Sequence, residues 1–296
     1  MSLSGTTSPT ETLAVVDLAD LRYSDASLAG AKAATLGELM WLGFPVPAAR
    51  VIMVNAFREF VDRRAVRLAL REALRDLDTA SAAQLTKIAQ AAAEIMAQAP
   101  APSWAADVMK WAGSAGCPMA IRSSATCEDL PDATFAGQYD SYLNVAPRDV
   151  MSHIVKCFAS LYNARAVLYR RRKGIASAGQ MAAIAQKMVR ADAAGVVYTR
   201  SPRDRNHLLI EAAAGLGEGV VSGTVAPNRY AVERGTLSLR ESRATNPVLD
   251  LDVRNIALEA LKVERALGFA VDLEFAVESG RFHILQARPV ATRPAS

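Results

Sequence analysis

The feature that most limits the fold is a change of periodicity close to Gly179. Before it, apolar residues recur at helical spacing: Leu85, Ile88, Ala92, Ile95 and Ala99 form one stripe that runs to Pro100. After it the chain breaks into short apolar runs bounded by turn residues, "MAAIAQKMV", "AGVVYT", "HLLIEAA" and "RYAVE". A helix-rich part followed by a strand-rich part, joined between residues 174 and 183, argues for an α/β (α+β) protein rather than an all-β one. The expected organisation is a loose tail over residues 1–12, one region over 13–178 and a second over 179–296.

Local signals place the elements. In "LAGAKAATLGELMWLGFPVP" a glycine-containing loop opens a helix near Ala33, which stops at Gly43 with Pro45 and Pro47 behind it. "VIMV" reads as a strand, and Asn55 is placed to cap a helix with Phe57, Phe60, Val61 and Leu68 on its apolar face. Ser81 and Gln84 have capping-box spacing. Asp149 precedes a long helix carrying Met151, Ile154, Val155, Phe158, Leu161 and Tyr162. That helix ends in Arg170, Arg171, Arg172 and Lys173, which read either as an anion patch or as cations solvated at a helix C-terminus. A further helix runs from about Asp250 to Leu267 and closes at Gly268.

Composition bounds the rest. At 296 residues and 51% hydrophobic content the chain buries a substantial core. A net charge of +4, scattered along the chain, gives no case for nucleic acid and suits a small anionic ligand equally well. Three cysteines without a C-x-x-C spacing argue against a disulfide framework or structural zinc and for a reducing compartment. The polar N-terminus has no signal-peptide pattern, and no apolar run is long enough to span a membrane. The expected location is cytoplasmic.

Four segments carry chemistry. In "DLEFAVESGRFHILQARP", Asp272 and Glu274 are two apart on a strand and point to one face. A three-residue turn at Glu278-Ser279-Gly280 predicts Asp272 opposite Gln286 and Glu274 opposite Ile284. Two carboxylates and an amide oxygen suit Mg²⁺ carried by phosphates, or the carboxylates simply face water. Arg288 falls on the same face, a planar fork suited to phosphate. Lys32, at a glycine-turn-to-helix junction, can meet a phosphate alongside helix amides, or is an exposed loop lysine; the spacing is not that of a Walker A loop.

The third segment, "RSSATCEDLPDATFAGQ", sits between two apolar runs. Arg122 ends the strand before it, Ser123, Ser124 and Thr126 offer hydroxyls, and Gly137 allows close backbone approach. An arginine at the base and a glycine at the tip can cover a polyphosphate. A polar surface loop accounts for Glu128, Asp129 and Asp132. The fourth segment, "AAAGLGEGVVSGTVAP", is glycine-rich and contains Glu218 as a candidate polar contact.

Together, "GAKAATLGEL", "AIRSSATCEDLPDATFAGQYDSYLNV", "GLGEGVVSG" and "DLEFAV…FHILQARP" resemble, in family order, the nucleotide-binding domain of the phosphoenolpyruvate-utilising dikinases. That family includes phosphoenolpyruvate synthase, pyruvate phosphate dikinase and rifampicin phosphotransferase. The resemblance implies an ATP-grasp-like fold whose two lobes, 13–178 and 179–296, hold ATP between them. It implies that Lys32 and Arg122 hold phosphates and that Thr134, Phe135, Ala136 and Gly137 belong to a loop over them. Gln186, Met188 and Val189 lie near the adenine, and Glu218 adds a polar contact. Asp272, Glu274 and Gln286 serve Mg²⁺, and Arg288 serves the transferred phosphate. The usual Gly-Gly-Lys reads Gly30-Ala31-Lys32 here, a slightly stiffer loop.

Members of that family continue into a swivelling domain with a phosphorylated histidine. None of His153, His207 or His283 sits in such a motif, and each reads as structural. The expectation is therefore the ATP-binding component of a split phosphotransferase of the phenylphosphate synthase kind. It would pass the β-phosphate to a histidine on a separate protein. A truncated larger enzyme and a non-catalytic ATP sensor are the alternatives.

Overall fold

The computed structural model describes residues 13–128, 137–175, 179–202, 204–217, 226–243 and 251–290. The chain folds as two units. One takes the chain up to Glu38 together with Ala48–Met188; the other takes Leu39–Pro47 and the chain from Val189 onward. The expected join at 178/179 falls about one strand too early. Residues 181–187 form a strand that hydrogen-bonds inside the first unit's sheet, so the division comes after it.

The first unit contains β1 (Val15–Asp17), α1 (Ala26–Trp41, whose last turn belongs to the second unit), β2 (Ala49–Ile52), α2 (Val54–Val61), α3 (Arg64–Ala73), α4 (Ala82–Ala97), α5 (Ala105–Ser114), β3 (Met119–Ala125), β4 (Ser141–Val145), α6 (Val150–Ala159), α7 (Ala164–Lys173) and β5 (Met181–Lys187). Among the described residues its strands are all antiparallel, in the order β1-β2-β5-β3-β4. The capping box at Ser81 and Gln84 forms as its spacing predicts. Phe158 of α6 anchors the core, packed edge-on against Phe57 at 5.2 Å and close to Phe60 and Trp104. Burying each such ring is worth about 1.5–3 kcal/mol.

Several local expectations are corrected. Asn55 does not cap α2: the helix begins at Val54, with Met53 in the capping position and no side-chain bond. The apolar face stops short of Leu68, which lies on α3 and is 54% exposed. Asp149 stands before α6, but its side chain makes no capping bond. The long helix expected from Asp149 to the basic run is two helices, because a 3₁₀ turn at Ser160–Tyr162 intervenes and Asn163 then caps α7 through Ala166 N–H. The basic run is neither a patch nor wholly solvated. Arg170 is buried and donates to Leu161 O at 3.0 Å, and Arg171 donates to the carbonyls of Ala80 and Leu77. These two side chains satisfy backbone left open at turns, and only Arg172 and Lys173 face water.

The second unit contains β6 (Ala193–Tyr198), β7 (His207–Ala214), β8 (Asn228–Glu233), β9 (Leu239–Arg243), α8 (Val253–Leu267), β10 (Val271–Glu278) and β11 (Arg281–Pro289). All pairs are antiparallel, in the order β11-β10-β6-β7-β8-β9. α8 packs on β7, β8 and β10 through Ile256, Ala260 and Val263, and ends at the left-handed Gly268, as its sequence predicts. Among the described residues, no helix is long and apolar enough to cross a membrane.

Candidate functional site

The first unit's cations sit where α1 meets β3. Gly30 breaks α1 with φ +76°, so the regular helix restarts at Ala31. A Cβ at Gly30 would stand 2.2 Å from Ser124 O and 2.3 Å from Ser124 Oγ, so only glycine fits. The same closeness lets Ser124 Oγ accept Ala33 N–H at 3.2 Å, satisfying one of the amides that a helix start leaves open.

Lys32, on that first turn, donates to Ser123 O at 3.2 Å and to Glu128 Oε1 at 2.9 Å. Glu128 is therefore not a solvated loop residue. It is 4% exposed, and its Oε2 accepts Ala125 N–H at 2.9 Å. Arg122 does not end its strand either. β3 runs on to Ala125, and Arg122 lies inside it at 8% exposure, paired in register with Ile184 on one side and Ser141 on the other. It shares its face of β3 with Ser124, the face that meets α1.

Two of the three hydroxyls in this stretch bond within the fold, and the Ser123 hydroxyl is buried with no hydrogen-bond partner among the described residues. Ser124 caps α1, and Thr126 Oγ1 accepts Gln180 N–H at 3.0 Å. Ser123 is fully buried on the face it shares with Ile121 and Ala125, which belong to the core. Gly137 is exposed with φ +67°, a conformation that favours glycine. Thr134, Phe135, Ala136 and Glu218 lie outside the described residues. Gln186 is buried near the end of β5, and Met188 N–H bonds to Pro118 O at 3.0 Å. Val189 opens the second unit, its side chain packed against Ala194 and Ala276.

The second unit's set lies on the β10–β11 hairpin. The turn is shorter than expected: Glu278 pairs with Arg281, and Ser279 and Gly280 alone turn the chain, both at positive φ. A bulge beyond Phe275 then shifts the register again. The result is Asp272 opposite Arg288 and Glu274 opposite Gln286, in place of the predicted pairs. Facing residues share a side of the sheet, so all four project together, as expected.

Asp272 Oδ2 accepts both Arg288 Nε, at 2.9 Å, and Nη2, at 2.7 Å. Burial pushes the Asp272 carboxyl above its ordinary range, Arg288 pulls it back, and Glu274 adds to the rise. Sequence reasoning missed Tyr198, which stands opposite Asp272 on β6. Burial, then Asp272 and Glu211, push its phenol up to about 12, so it stays a neutral donor at physiological pH. Among the described residues no group of three or more His, Cys, Asp or Glu is placed to hold a metal ion. The set here has two carboxylates and an amide, all hard oxygens, so its chemistry fits Mg²⁺, with one Asp272 oxygen already engaged by Arg288.

A glycine-broken helix start holding a lysine, and a hairpin holding arginine, carboxylates and an amide, each offer groups that suit a phosphate or a hard cation, on a mixed α/β fold. The chain belongs to the pyruvate phosphate dikinase AMP/ATP-binding domain family, whose pattern matches residues 26–247. The fold is mixed α/β with two antiparallel sheets, as expected for the class.

A probable phosphoenolpyruvate synthase of Methanocaldococcus jannaschii is 35% identical over 93% of this chain and 26% of its own length. A probable phosphoenolpyruvate synthase of Archaeoglobus fulgidus is 33% identical, covering 94% of this chain and 42% of its own length. A rifampicin phosphotransferase of a Streptomyces species is 33% identical, covering 94% and 36%. The chain thus spans between about a quarter and somewhat under half the length of these relatives.

Proposed function

We propose that this protein is the ATP-binding part of a dikinase-type phosphotransferase. It directs the β-phosphate of ATP to a histidine on a separate swivelling-domain protein, leaving AMP and phosphate. Two P–O–P bonds break while one P–N bond forms, so one water is consumed and its oxygen ends on phosphate. The observation that carries the reading is the hairpin face on which Arg288–Asp272 and Glu274–Gln286 stand as adjacent facing pairs.

In this reading Lys32 and Arg122 bind the phosphates, with the segment of Thr134, Phe135, Ala136 and Gly137 beside them. Gln186, Met188 and Val189 serve the adenine side, and Glu218 adds a polar contact. Arg288, held by Asp272, meets the transferred phosphate, and Glu274 and Gln286, with the remaining oxygen of Asp272, would hold Mg²⁺. Bound there, Mg²⁺ neutralises charge on the phosphates. The protein's own part is positioning and electrostatic stabilisation. The phosphotransferase works in the cytoplasm and turns over only with its partner, because water replaces a positioned imidazole poorly.

The test starts with the isolated chain. Mg·ATP raises its melting temperature, as any ligand of the native state does. With the partner present, β-³²P-ATP gives AMP and an acid-labile label on the partner's histidine. No heat and no thermal shift at millimolar Mg·ATP would end the assignment. ADP as the product would point to an ordinary kinase or ligase. A second reading places the histidine and acceptor domains in the same polypeptide; it is favoured by relatives that extend well beyond the matched region. The neighbouring reading frame separates the two.

A further inference from the structure

Glu128 is buried although it lies in a polar stretch, and both of its oxygens are occupied. Oε2 takes Ala125 N–H, and Oε1 takes the Lys32 ammonium. The carboxylate side chain is 2% exposed and the lysine side chain 15%, so the lysine is the more accessible of the two. Among the described residues, Lys32 spends two of its three N–H donors, on Glu128 and on Ser123 O. Both acceptors belong to the C-terminal end of β3 and the turn after it.

A buried ion pair is a poor device for stability, since apolar residues of similar volume often do as well. It is a good device for aiming a flexible four-carbon side chain. Glu128 takes its own position from the backbone of β3, through the Ala125 bond. It thereby ties the lysine to the strand that carries Arg122, which a helix turn alone would not do. We infer that Glu128 is a positioning residue for nucleotide binding. It holds the Lys32 ammonium with its remaining donor directed at a phosphate oxygen. The inference rests on the nucleotide reading above and goes beyond it, since it gives a role to a carboxylate that never touches the ligand.

The experiment is a double-mutant cycle read by calorimetry with Mg·ATP, tripolyphosphate and adenosine as separate probes. The proteins are wild type, Glu128→Gln, Lys32→Ala and the double variant. Glutamine cannot serve both neighbours, because its amide nitrogen donates where the carboxylate accepted. The expected result is that Glu128→Gln weakens Mg·ATP and tripolyphosphate by about tenfold when Lys32 is present, within the range for residues in direct contact. It has less than about a twofold effect once Lys32 is alanine. Adenosine affinity is unchanged throughout.

Equal losses in both backgrounds, or a parallel loss of adenosine binding, would show a purely structural carboxylate and overturn the inference. If Glu128→Gln does not fold, Glu128→Asp replaces it. That variant keeps the charge and draws it back by one methylene, and it must show the same dependence on Lys32. Should wild type fail to bind Mg·ATP, the nucleotide reading falls and this inference with it. Should wild type bind while the cycle shows no coupling, this inference alone falls.

Discussion

Each unit sets one cation against one buried carboxylate, and the two do so by different means. In the first, Lys32 and Glu128 lie 96 residues apart and are both fastened to the backbone at the end of β3. In the second, Arg288 and Asp272 lie 16 residues apart and meet side chain to side chain across a hairpin. The first arrangement depends on tertiary packing, above all on the close contact of Gly30 with Ser124. The second depends on strand register, set by a two-residue turn and one bulge. Damage to packing should therefore disable the lysine first, whereas damage to the hairpin face should act on phosphate chemistry and spare the fold.

The strongest test of that contrast is Gly30→Ala. The substitution forces a Cβ to 2.2 Å from Ser124 O at φ +76°, combining left-handed strain with overpacking. The expected cost is about 2–5 kcal/mol. Denaturant unfolding measures it, and an unchanged midpoint would mean that the junction is not rigid. On the other side, Glu274→Ala should leave the melting temperature within a few degrees yet reduce phosphotransfer with the partner about 100-fold, the usual scale for charge-stabilising groups. Near-normal turnover would remove Glu274 from the site.

A smaller change sharpens the comparison. Asp272→Asn keeps the shape at Arg288 but exchanges charge-assisted bonds for neutral ones. The expected loss in turnover is about tenfold, close to the difference between the two bond classes. A loss as large as that of Glu274→Ala would instead mean that the second Asp272 oxygen, the one not held by Arg288, matters as much as Glu274 does.

The smallest effect concerns a carboxylate outside both sites. Burial raises the Glu264 carboxyl, but two bonds from Arg234, the Thr199 hydroxyl and the nearby Arg200 outweigh it and hold the group below its ordinary value. A depressed carboxyl adds stability above its unfolded value, near 4.3, and loses it as pH falls through the folded one. Wild type should therefore exceed Glu264→Gln in melting temperature at pH 6, and the gap should shrink toward pH 3. A gap that does not change with pH would mean that Glu264 contributes by packing alone.

Local patterns were legible in the sequence, and distant geometry was not. The Ser81–Gln84 box, the Gly268 stop and the hairpin formed because each depends on a few consecutive residues. Even there the register of Asp272 was missed by two positions. One position came from a turn of two residues instead of three, the other from a bulge at Phe275 that no turn residue announces. Glu128 read as surface because "CEDLPDA" is turn chemistry; only the approach of Lys32 from 96 residues away makes it a buried partner. Arg170 and Arg171 misled too, since Arg170 turns back to the 3₁₀ turn nine residues before it and Arg171 to a turn 91 residues away. The likeness to the dikinases supplied candidate residues that spacing alone could not rank; the structure sets Glu128 beside Lys32 and Tyr198 opposite Asp272.

The short segment Leu39–Pro47 belongs to the second unit, although the chain on either side of it belongs to the first. Its Pro45 carbonyl accepts Ile284 N–H at 2.9 Å, along the outer side of β11, the strand at one margin of the six-stranded sheet. Dissection of the protein at a single cut after Met188 would thus separate that margin from the piece of chain that covers it. A C-terminal fragment made this way carries an uncovered strand edge, an invitation to pair with its own copies. The two units are distinct in space without being separable in sequence, and a clean fragment of the second has to carry residues 39–47 grafted back on.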